Sequence, residues 1–248
     1  MRKYLIVNAD DFGLSDGVNQ GILEAAERGI VTSTSLMVRQ EAAEAAAKLA
    51  RQERRLSVGL HLDLGEWVFR EHEWVPLYSV VSTRDVEAVA RETEWQLSEF
   101  QRLVGRNPTH IDSHQHAHRE EPARSLVTKL ARQLGVPVRE CHLAIRYCGD
   151  FYGQTGEGES LPDALTVANL MEILSSVSAG ITELGCHPGY GNGLASPYRL
   201  ERAREVQVLC APAVRESLAA LDIELCSFED VPRLLPRLKD QHPVVDGG

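Results

Sequence analysis

The chain has 248 residues, of which 43% are hydrophobic and 25% charged, as is typical of a globular domain. Its formal net charge of −10 argues against a nucleic-acid-binding surface, because phosphate binding depends on Lys and Arg. The apolar run before Asn8 is too short for a signal peptide or a transmembrane segment, and the five cysteines lack paired spacing. We therefore expect a cytoplasmic protein with reduced thiols, one domain over residues 1–238 and a loosely ordered tail over residues 239–248.

Short β-branched runs alternate with segments of helical period along the chain, which predicts a regular series of strands and helices. The predicted strands cover residues 3–7, 29–38, 56–64, 108–114, 136–141, 181–187 and 223–228. The intervening helices, of which Ser15 caps the first, are predicted to end near residues 27, 54, 104, 135, 179 and 221. Residues 65–82 are expected to form a polar connection, and residues 146–162 an ordered binding loop rich in Gly and Tyr.

This alternation predicts a parallel α/β fold, because a crossover between parallel strands is usually a helix. A closed barrel and a doubly wound sheet both satisfy the pattern, and both place functional loops at the carboxyl ends of the strands. With about seven strand–helix units, we expect a distorted, incomplete (β/α) barrel of parallel strands that resembles a TIM barrel.

Unusual polar residues follow four of the predicted strands. The segment "ADD" follows the first strand, "HLD" ends the third, "HIDSH" ends the fourth and "CHPGY" ends the sixth. Because the carboxyl ends of the strands meet at one rim, these four segments are predicted to converge there. Chance placement would scatter them over both ends of the barrel and the helix faces, so the convergence predicts one functional site.

Four of the nine histidines lie in the segment "HIDSHQHAH", His110 to His118. Alternate residues share one face of a strand, but this run would span on the order of 26 Å, whereas metal–nitrogen bonds are about 2.0–2.1 Å. Only one or two of these histidines can therefore bind one ion. A hydrated loop is the alternative, and the polar residues at the other strand ends argue against it. His110, furthest from the rim, is expected to stabilise the fold.

The adjacent carboxylates of "DDFG" suggest a division of labour, with one binding a metal ion and one exchanging protons. An exposed turn is one alternative. A kinase-type magnesium loop is another, but no glycine-rich loop, lysine-bearing strand or "HRD" segment precedes it. Asp63 is expected either to be structural or to support the ligand residues without binding the ion itself, and Cys186 is expected to be a buried, inert thiol.

Together these motifs resemble the YdjC-like (ChbG/HpnK) carbohydrate deacetylases. The resemblance rests on "NADDFGLSDGVNQGI", "GLHLDL", "PTHIDSHQHAH" and "CHPGY", which occur in order and extend over nearly the whole chain. It implies a distorted barrel that removes acetyl groups from N-acetylated sugars with a divalent metal ion. The implied ion is Mg²⁺, with Zn²⁺ as the second candidate.

The resemblance also implies roles for individual residues. The metal ligands would be Asp11, His61 and His114. Asp10 would be the general base and His187 the general acid. The residues expected to contact the substrate are His116, His118, Tyr152 and Tyr190.

The expected partner is an N-acetylated sugar, either an N-acetylglucosamine-containing oligosaccharide or a glycoconjugate such as a hopanoid-type glycolipid. If the protein self-associates, we expect a homodimer. A metal-dependent phosphodiesterase or sugar isomerase on the same fold is one rival, and it would need further basic residues or a catalytic lysine, which the motifs do not contain. A non-catalytic sugar-binding protein is the other rival, and it would have no use for Asp10 and His187.

Overall fold

The computed structural model describes residues 2–53 and 55–240. Its strands are β1 (Lys3–Phe12), β2 (Ser33–Leu36), β3 (Ser57–Leu62), β4 (Gly65–Arg70), β5 (Glu73–Ser79), β6 (Ile111–Ser113), β7 (Ile145–Cys148), β8 (Gly180–Cys186) and β9 (Ile223–Leu225). Its α-helices are α1 (Asp16–Glu27), α2 (Ala43–Gln52), α3 (Val86–Val104), α4 (Ala123–Leu134), α5 (Val167–Ser176), α6 (Leu200–Leu209), α7 (Pro212–Ala220) and α8 (Val231–Asp240).

Seven parallel strands form one curved sheet, in the order β6-β3-β2-β1-β8-β7 with β9 paired to β1. The central strand is β1, which pairs with β8 along one edge. Along its other edge, β9 pairs with residues 3–5 and β2 with residues 8–12. Within the described residues no ladder joins β6 to β7, so the barrel is incomplete. The predicted distorted α/β barrel is therefore confirmed.

The core lies between this sheet and the surrounding helices. Strands β2 and β3 are buried along their full lengths, and β1 along all but its first residue. Helix α1 adds Val18, Ile22 and Ala25 at helical spacing. It begins as predicted, because Ser15 Oγ accepts the Val18 N–H at 3.2 Å. With the sheet covered in this way, functional polar side chains collect at the strand ends.

The prediction of a polar connection over residues 65–82 is wrong, because β4 and β5 form an antiparallel hairpin there. Aromatic and β-branched residues in both arms favour strands. The turn consists of Glu71 and His72, whose φ angles of 50° and 67° suit a two-residue turn with left-handed backbone. Such turns usually contain Asn or Gly, so the sequence lacked the ordinary hairpin signal.

The fifth strand expected over residues 136–141 is reduced to one parallel bridge between Val138 and Ile111. Pro137 has no N–H to donate, and Glu140 has a left-handed φ of 59°, so the ladder ends. The sheet has β6 at one edge and β7 at the other, and β7 overlaps the start of the expected binding loop. The second strand is also shorter than predicted.

Other expectations concern the thiols, the helices and the tail. All five cysteines are unpaired, as predicted, and Cys186 is fully buried. Each helix of the described residues is too short or too polar to cross a lipid bilayer. The first two residues of the expected tail belong to α8, and residues 241–248 lie outside the described part of the chain.

Candidate functional site

Strand β1 ends in two aspartates that line the same cavity. Adjacent residues of a regular strand point to opposite faces. Here the pairing of β1 with β2 shifts register between Ala9 and Phe12, and Asp11 has a left-handed φ of 66°. This irregularity brings Asp11 to the side on which Asp10 lies. Non-glycine residues rarely adopt that backbone conformation, and such strain is concentrated at functional sites.

Three predicted ligands converge on one point. Asp11 Oδ1 lies 3.3 Å from His61 Nε2 and 3.1 Å from His114 Nδ1. All three side chains are buried, and their candidate ligand atoms lie within 4.8 Å of one another. One carboxylate oxygen and two imidazole nitrogens are donors that divalent cations commonly use, with further coordination positions left for water and substrate.

The outward-facing nitrogens of these histidines also fit a metal centre. Asp112 Oδ1 lies 2.7 Å from His61 Nδ1, in the position where a carboxylate typically orients a metal-binding histidine. His114 Nε2 is buried without a hydrogen-bond partner among the described residues and faces Glu66 Oε2 at 3.6 Å. These contacts of the outer nitrogens are therefore compatible with a divalent ion bound by Asp11, His61 and His114.

The electrostatics of this point favour positive charge. Burial opposes protonation of His61, but Asp112 and Asp11 outweigh burial and raise its pKa to about 10. Burial likewise opposes protonation of His114, and Asp11 and Glu66 raise its pKa to about 9. The carboxylates around the two imidazoles therefore create a position that suits a proton or a metal cation.

Asp10 belongs to a separate network centred on Arg139. This arginine is buried and binds Asp10 Oδ2 at 2.6 Å, Asp112 Oδ2 at 2.8 Å and Glu183 Oε1 at 2.7 Å. Asn8 Nδ2 donates a further hydrogen bond to Asp10 Oδ1 at 2.8 Å. Burial raises the pKa of Asp10, but Arg139 outweighs it and the pKa is lowered overall. Asp10 is therefore ionised at neutral pH.

His187 follows β8, and its Nε2 faces Asp10 Oδ2 at 3.7 Å. Its backbone N–H donates to Glu205 on α6, and its ring contacts Tyr152 edge-to-face with centroids 5.4 Å apart. Burial lowers the pKa of His187 to about 4, although Asp10 acts in the opposite direction. The imidazole is therefore neutral in the resting site at pH 7.

Two glycines of α1 explain how the loop that carries His187 is placed. A Cβ on Gly17 would lie 2.2 Å from the carbonyl oxygen of Tyr190, and one on Gly21 would lie 2.4 Å from Gly189 Cα. Only glycine leaves room for this backbone contact. The spacing of the two glycines in "DGVNQGI" thus allows the loop after β8 to lie directly on the helix.

The cavity above these groups has a volume of about 680 Å³. Its floor contains Asp10, Asp11, His114 and His187, which the prediction placed at one rim. The residues of its walls include Trp67, Phe69, Trp74, His116, Tyr147, Tyr152, Gln154 and Tyr198. The size lies within the range of about 300–1,000 Å³ that is usual for small-molecule sites.

The structure separates the four residues expected to contact substrate. His116 and Tyr152 line the cavity. His118 is fully buried, with Nδ1 at 2.6 Å from Ser113 Oγ and Nε2 at 3.2 Å from the Arg139 carbonyl oxygen. Tyr190 is absent from the described lining residues, and its hydroxyl donates to Glu24 at 2.6 Å.

The histidine run bends immediately after β6. Gln115 and His116 have left-handed φ angles of 47° and 55°, so the alternation of a strand stops at Ser113. His114 alone of the four histidines reaches Asp11. His110 lies below, stacked on Phe228 with ring centroids 3.7 Å apart.

Sequence reasoning missed four charged residues of the site: Glu66, Arg139, Arg202 and Glu205. Arg202 Nη2 binds Asp11 Oδ2 at 2.6 Å, and its Nε donates to the Tyr198 carbonyl oxygen at 2.7 Å. The sequence contains one signal that could have identified two of them: Arg202 and Glu205 are charged residues on the apolar face of α6, which they share with Val206 and Leu209. Buried charges of this kind are almost always paired.

Comparison with known proteins identifies close similarity along nearly the whole chain. Residues 4–220 match the family of YdjC-like proteins. The chain is 34% identical to the chitooligosaccharide deacetylase of Serratia marcescens, over 93% of this chain and 100% of that protein. It is 33% identical to the carbohydrate deacetylase of Geobacillus stearothermophilus, over 94% of this chain and 100% of that protein.

A solved structure agrees with this relationship. The crystal structure of a candidate cellobiose-phosphate cleavage protein from Enterococcus faecalis V583 is similar with a TM-score of 0.76 and 27% sequence identity. The similarity covers 93% of this chain and 99% of that chain.

Proposed function

Because this chain belongs to the YdjC-like protein family, we propose that it is a metal-dependent carbohydrate N-deacetylase that hydrolyses the acetamido group of N-acetylglucosamine units in oligosaccharides. One observation carries the proposal: Asp11 and His114 line one cavity together with Asp10 and His187, and the buried His61 has its candidate ligand atom within 4.8 Å of those of Asp11 and His114. Amide hydrolysis needs an activated water, a polarised carbonyl and a proton for the leaving nitrogen, and these groups can meet all three needs.

Asp11, His61 and His114 would hold the divalent ion. When bound, the ion polarises the amide carbonyl and lowers the pKa of a water molecule. The family resemblance favours Mg²⁺, whereas two imidazole donors favour Zn²⁺ and similar ions. We therefore propose that Zn²⁺ binds more tightly than Mg²⁺ to the isolated protein, and titration of the metal-free protein with each ion tests this.

Asp10 is the proposed general base. Its carboxylate is ionised, and Arg139 and Asn8 fix its orientation towards the cavity. It would accept a proton as water adds to the carbonyl carbon. Because its pKa is lowered, Asp10 is a weak base and depends on the increased acidity of that water.

His187 is the proposed proton donor to the leaving nitrogen. It is neutral at rest, so it must first gain the proton that Asp10 accepted, and the 3.7 Å between Asp10 Oδ2 and His187 Nε2 is short enough for the two groups to exchange it as they move. Breakage of the C–N bond then leaves a free amine and acetic acid, which loses its proton to solvent to become acetate. The proton of the attacking water thus reaches the nitrogen by way of two side chains.

We assign substrate contacts to His116 and Tyr152, which line the cavity. His118 has the different task of fixing the bend after β6, because both of its ring nitrogens are occupied by Ser113 and the Arg139 carbonyl. Tyr190 positions the loop after β8 through its contact with α1.

The test is acetate release from chitobiose and chitotriose by purified, metal-loaded protein. Activity should disappear on dialysis against a chelator and return when a divalent ion is added. Hydrolysis of a phosphodiester or isomerisation of a free sugar, without acetate release, would contradict the proposal. Binding of the sugar without turnover would instead support a non-catalytic sugar-binding protein.

A further inference from the structure

One face of the β4–β5 hairpin presents aromatic side chains to the cavity. Phe69 and Trp74 are paired across the two strands, and Trp67 lies on the same face two residues before Phe69. The Phe69 and Trp74 rings meet edge-to-face with centroids 5.6 Å apart. Trp74 is 54% exposed, and an exposed aromatic surface inside a binding cavity indicates a ligand that covers it.

The hairpin is anchored to the floor of the site. The side-chain amide of Gln115 donates to the Trp67 carbonyl and accepts from the Trp67 N–H, both at 2.8 Å. Glu66 accepts a hydrogen bond from Ser196 at 3.0 Å and also faces His114. Because Gln115 directly follows His114, the aromatic face is held in a defined position relative to the candidate metal ligands. A surface that is held in place before binding has a smaller ordering cost when a ligand binds.

The aromatic wall formed by the hairpin is apolar, whereas other parts of the cavity lining are polar. Tyr147, Gln154 and Thr155 line the same cavity and offer hydroxyl and amide groups. A pyranose ring has the matching character, since its faces carry C–H bonds and its edges carry hydroxyl groups. An acyl chain would cover the aromatic wall but offer no hydrogen bond to His116 Nδ1 or His187 Nδ1, which are buried without a hydrogen-bond partner among the described residues.

The volume of the cavity exceeds that of one acetamido sugar. At roughly 30 Å³ for each water-sized heavy atom, about 680 Å³ holds more than twenty such atoms. An N-acetylhexosamine has fifteen heavy atoms, and bonded atoms pack more closely than water. There is therefore space for part of a second ring.

Resting on the proposed function, we infer that Trp74 and Phe69 form a stacking surface for the sugar ring next to the one that is deacetylated. This surface makes the enzyme select oligosaccharides over single sugars. Trp74 is the decisive residue, because its ring is the most exposed of the three aromatic side chains.

The experiment compares Trp74→Ala with wild type on N-acetylglucosamine, chitobiose and chitotriose. For the two oligosaccharides, kcat/KM should fall at least about tenfold through a higher KM, because loss of uniform binding leaves kcat unchanged. For the monosaccharide, the change should stay within about threefold. Trp74→Phe should recover most of the loss. The control is Trp95→Ala on α3, where a tryptophan of similar exposure packs against Arg39 outside the lining residues.

Calorimetric binding of chitotriose to the metal-free protein separates this inference from the proposed function. If wild type releases no acetate but Trp74→Ala still weakens chitotriose binding, the stacking surface is supported and the deacetylase proposal fails. If wild type is active and Trp74→Ala loses the same factor on all three sugars, the stacking surface is wrong. The inference would also be wrong if Trp74→Ala lost activity only on N-acetylglucosamine glycosides with an apolar aglycone and not on chitobiose or chitotriose.

Discussion

Replacement of Arg139 by methionine should remove the counter-charge of three buried carboxylates. The guanidinium binds Asp10, Asp112 and Glu183 at distances between 2.6 and 2.8 Å and has no exposed surface. Breaking a buried pair by removing one partner costs about 3–5 kcal/mol, because the remaining charges stay desolvated. Methionine fills much of the same volume, so we expect a loss of that size in the free energy of unfolding, with electrostatics as its main cause.

The loss should depend on pH in a defined direction. Without Arg139, burial of the three carboxylates has less to oppose it, so their pKa values in the folded state rise relative to wild type. Folding is then favoured at low pH, where these groups are neutral, and weakens as pH rises through the raised folded pKa values. The difference in stability between wild type and Arg139→Met should therefore be larger at pH 8 than at pH 5.

Urea denaturation followed by circular dichroism at both pH values measures this difference. Arg139→Lys keeps a positive charge and should lose less stability than Arg139→Met. Arg106→Met is the surface control, because Arg106 and Glu229 form a pair with 44% and 42% of their side chains exposed, and it should change stability by less than about 1 kcal/mol. A loss in Arg139→Met no larger than in this control, or equal at both pH values, would refute the reasoning.

Three further predictions concern the aspartates and the histidines. Asp10→Asn should retain metal in calorimetric titration and lose about 10²–10⁴ in turnover, whereas Asp11→Asn should lose metal; equal metal loss in both would contradict the division of roles. His114→Ala should abolish metal binding and His116→Ala should raise KM with metal retained, so a crystal structure with the ion on His116 and not on His114 would rule this out. Burial lowers the pKa of His110 from 6.5 to about 4, so wild type should lose stability as pH falls through this interval. In acid denaturation, the stability of His110→Asn should fall less than that of wild type over this interval, by up to about 3 kcal/mol. An unchanged pH dependence in the variant would argue against this role of His110.

The fold was predictable where local pattern decides it. Strand β1 is an apolar run, and helix α1 has a capping serine and apolar residues at helical spacing, so both were expected. The β4–β5 hairpin was missed because its turn uses Glu71 and His72 in a backbone conformation that these residues seldom adopt. In that turn the tertiary environment of the hairpin outweighs local preference.

The site was predictable where motifs follow strand ends. Asp11, His61 and His114 meet because parallel strands bring their carboxyl ends together. To predict this, it is enough to know that each motif follows a strand of one parallel sheet. Arg139 could not be found in this way. It contacts Asp10 across 129 positions of sequence, from a segment that was expected to be an ordinary strand. Contacts of that separation depend on the final packing and leave no periodic signal.

The two adjacent aspartates show why residue type alone does not determine a role. Each carboxylate has its own buried arginine: Arg139 binds Asp10, and Arg202 binds Asp11. Asp11 lies 3.3 Å from His61 and 3.1 Å from His114, whereas Asp10 faces His187 at 3.7 Å. The irregularity in β1 makes this possible, since a regular strand would send one of the two carboxylates to the opposite face of the sheet. The proposed division between metal ligand and base therefore rests on one left-handed residue and its distant partners.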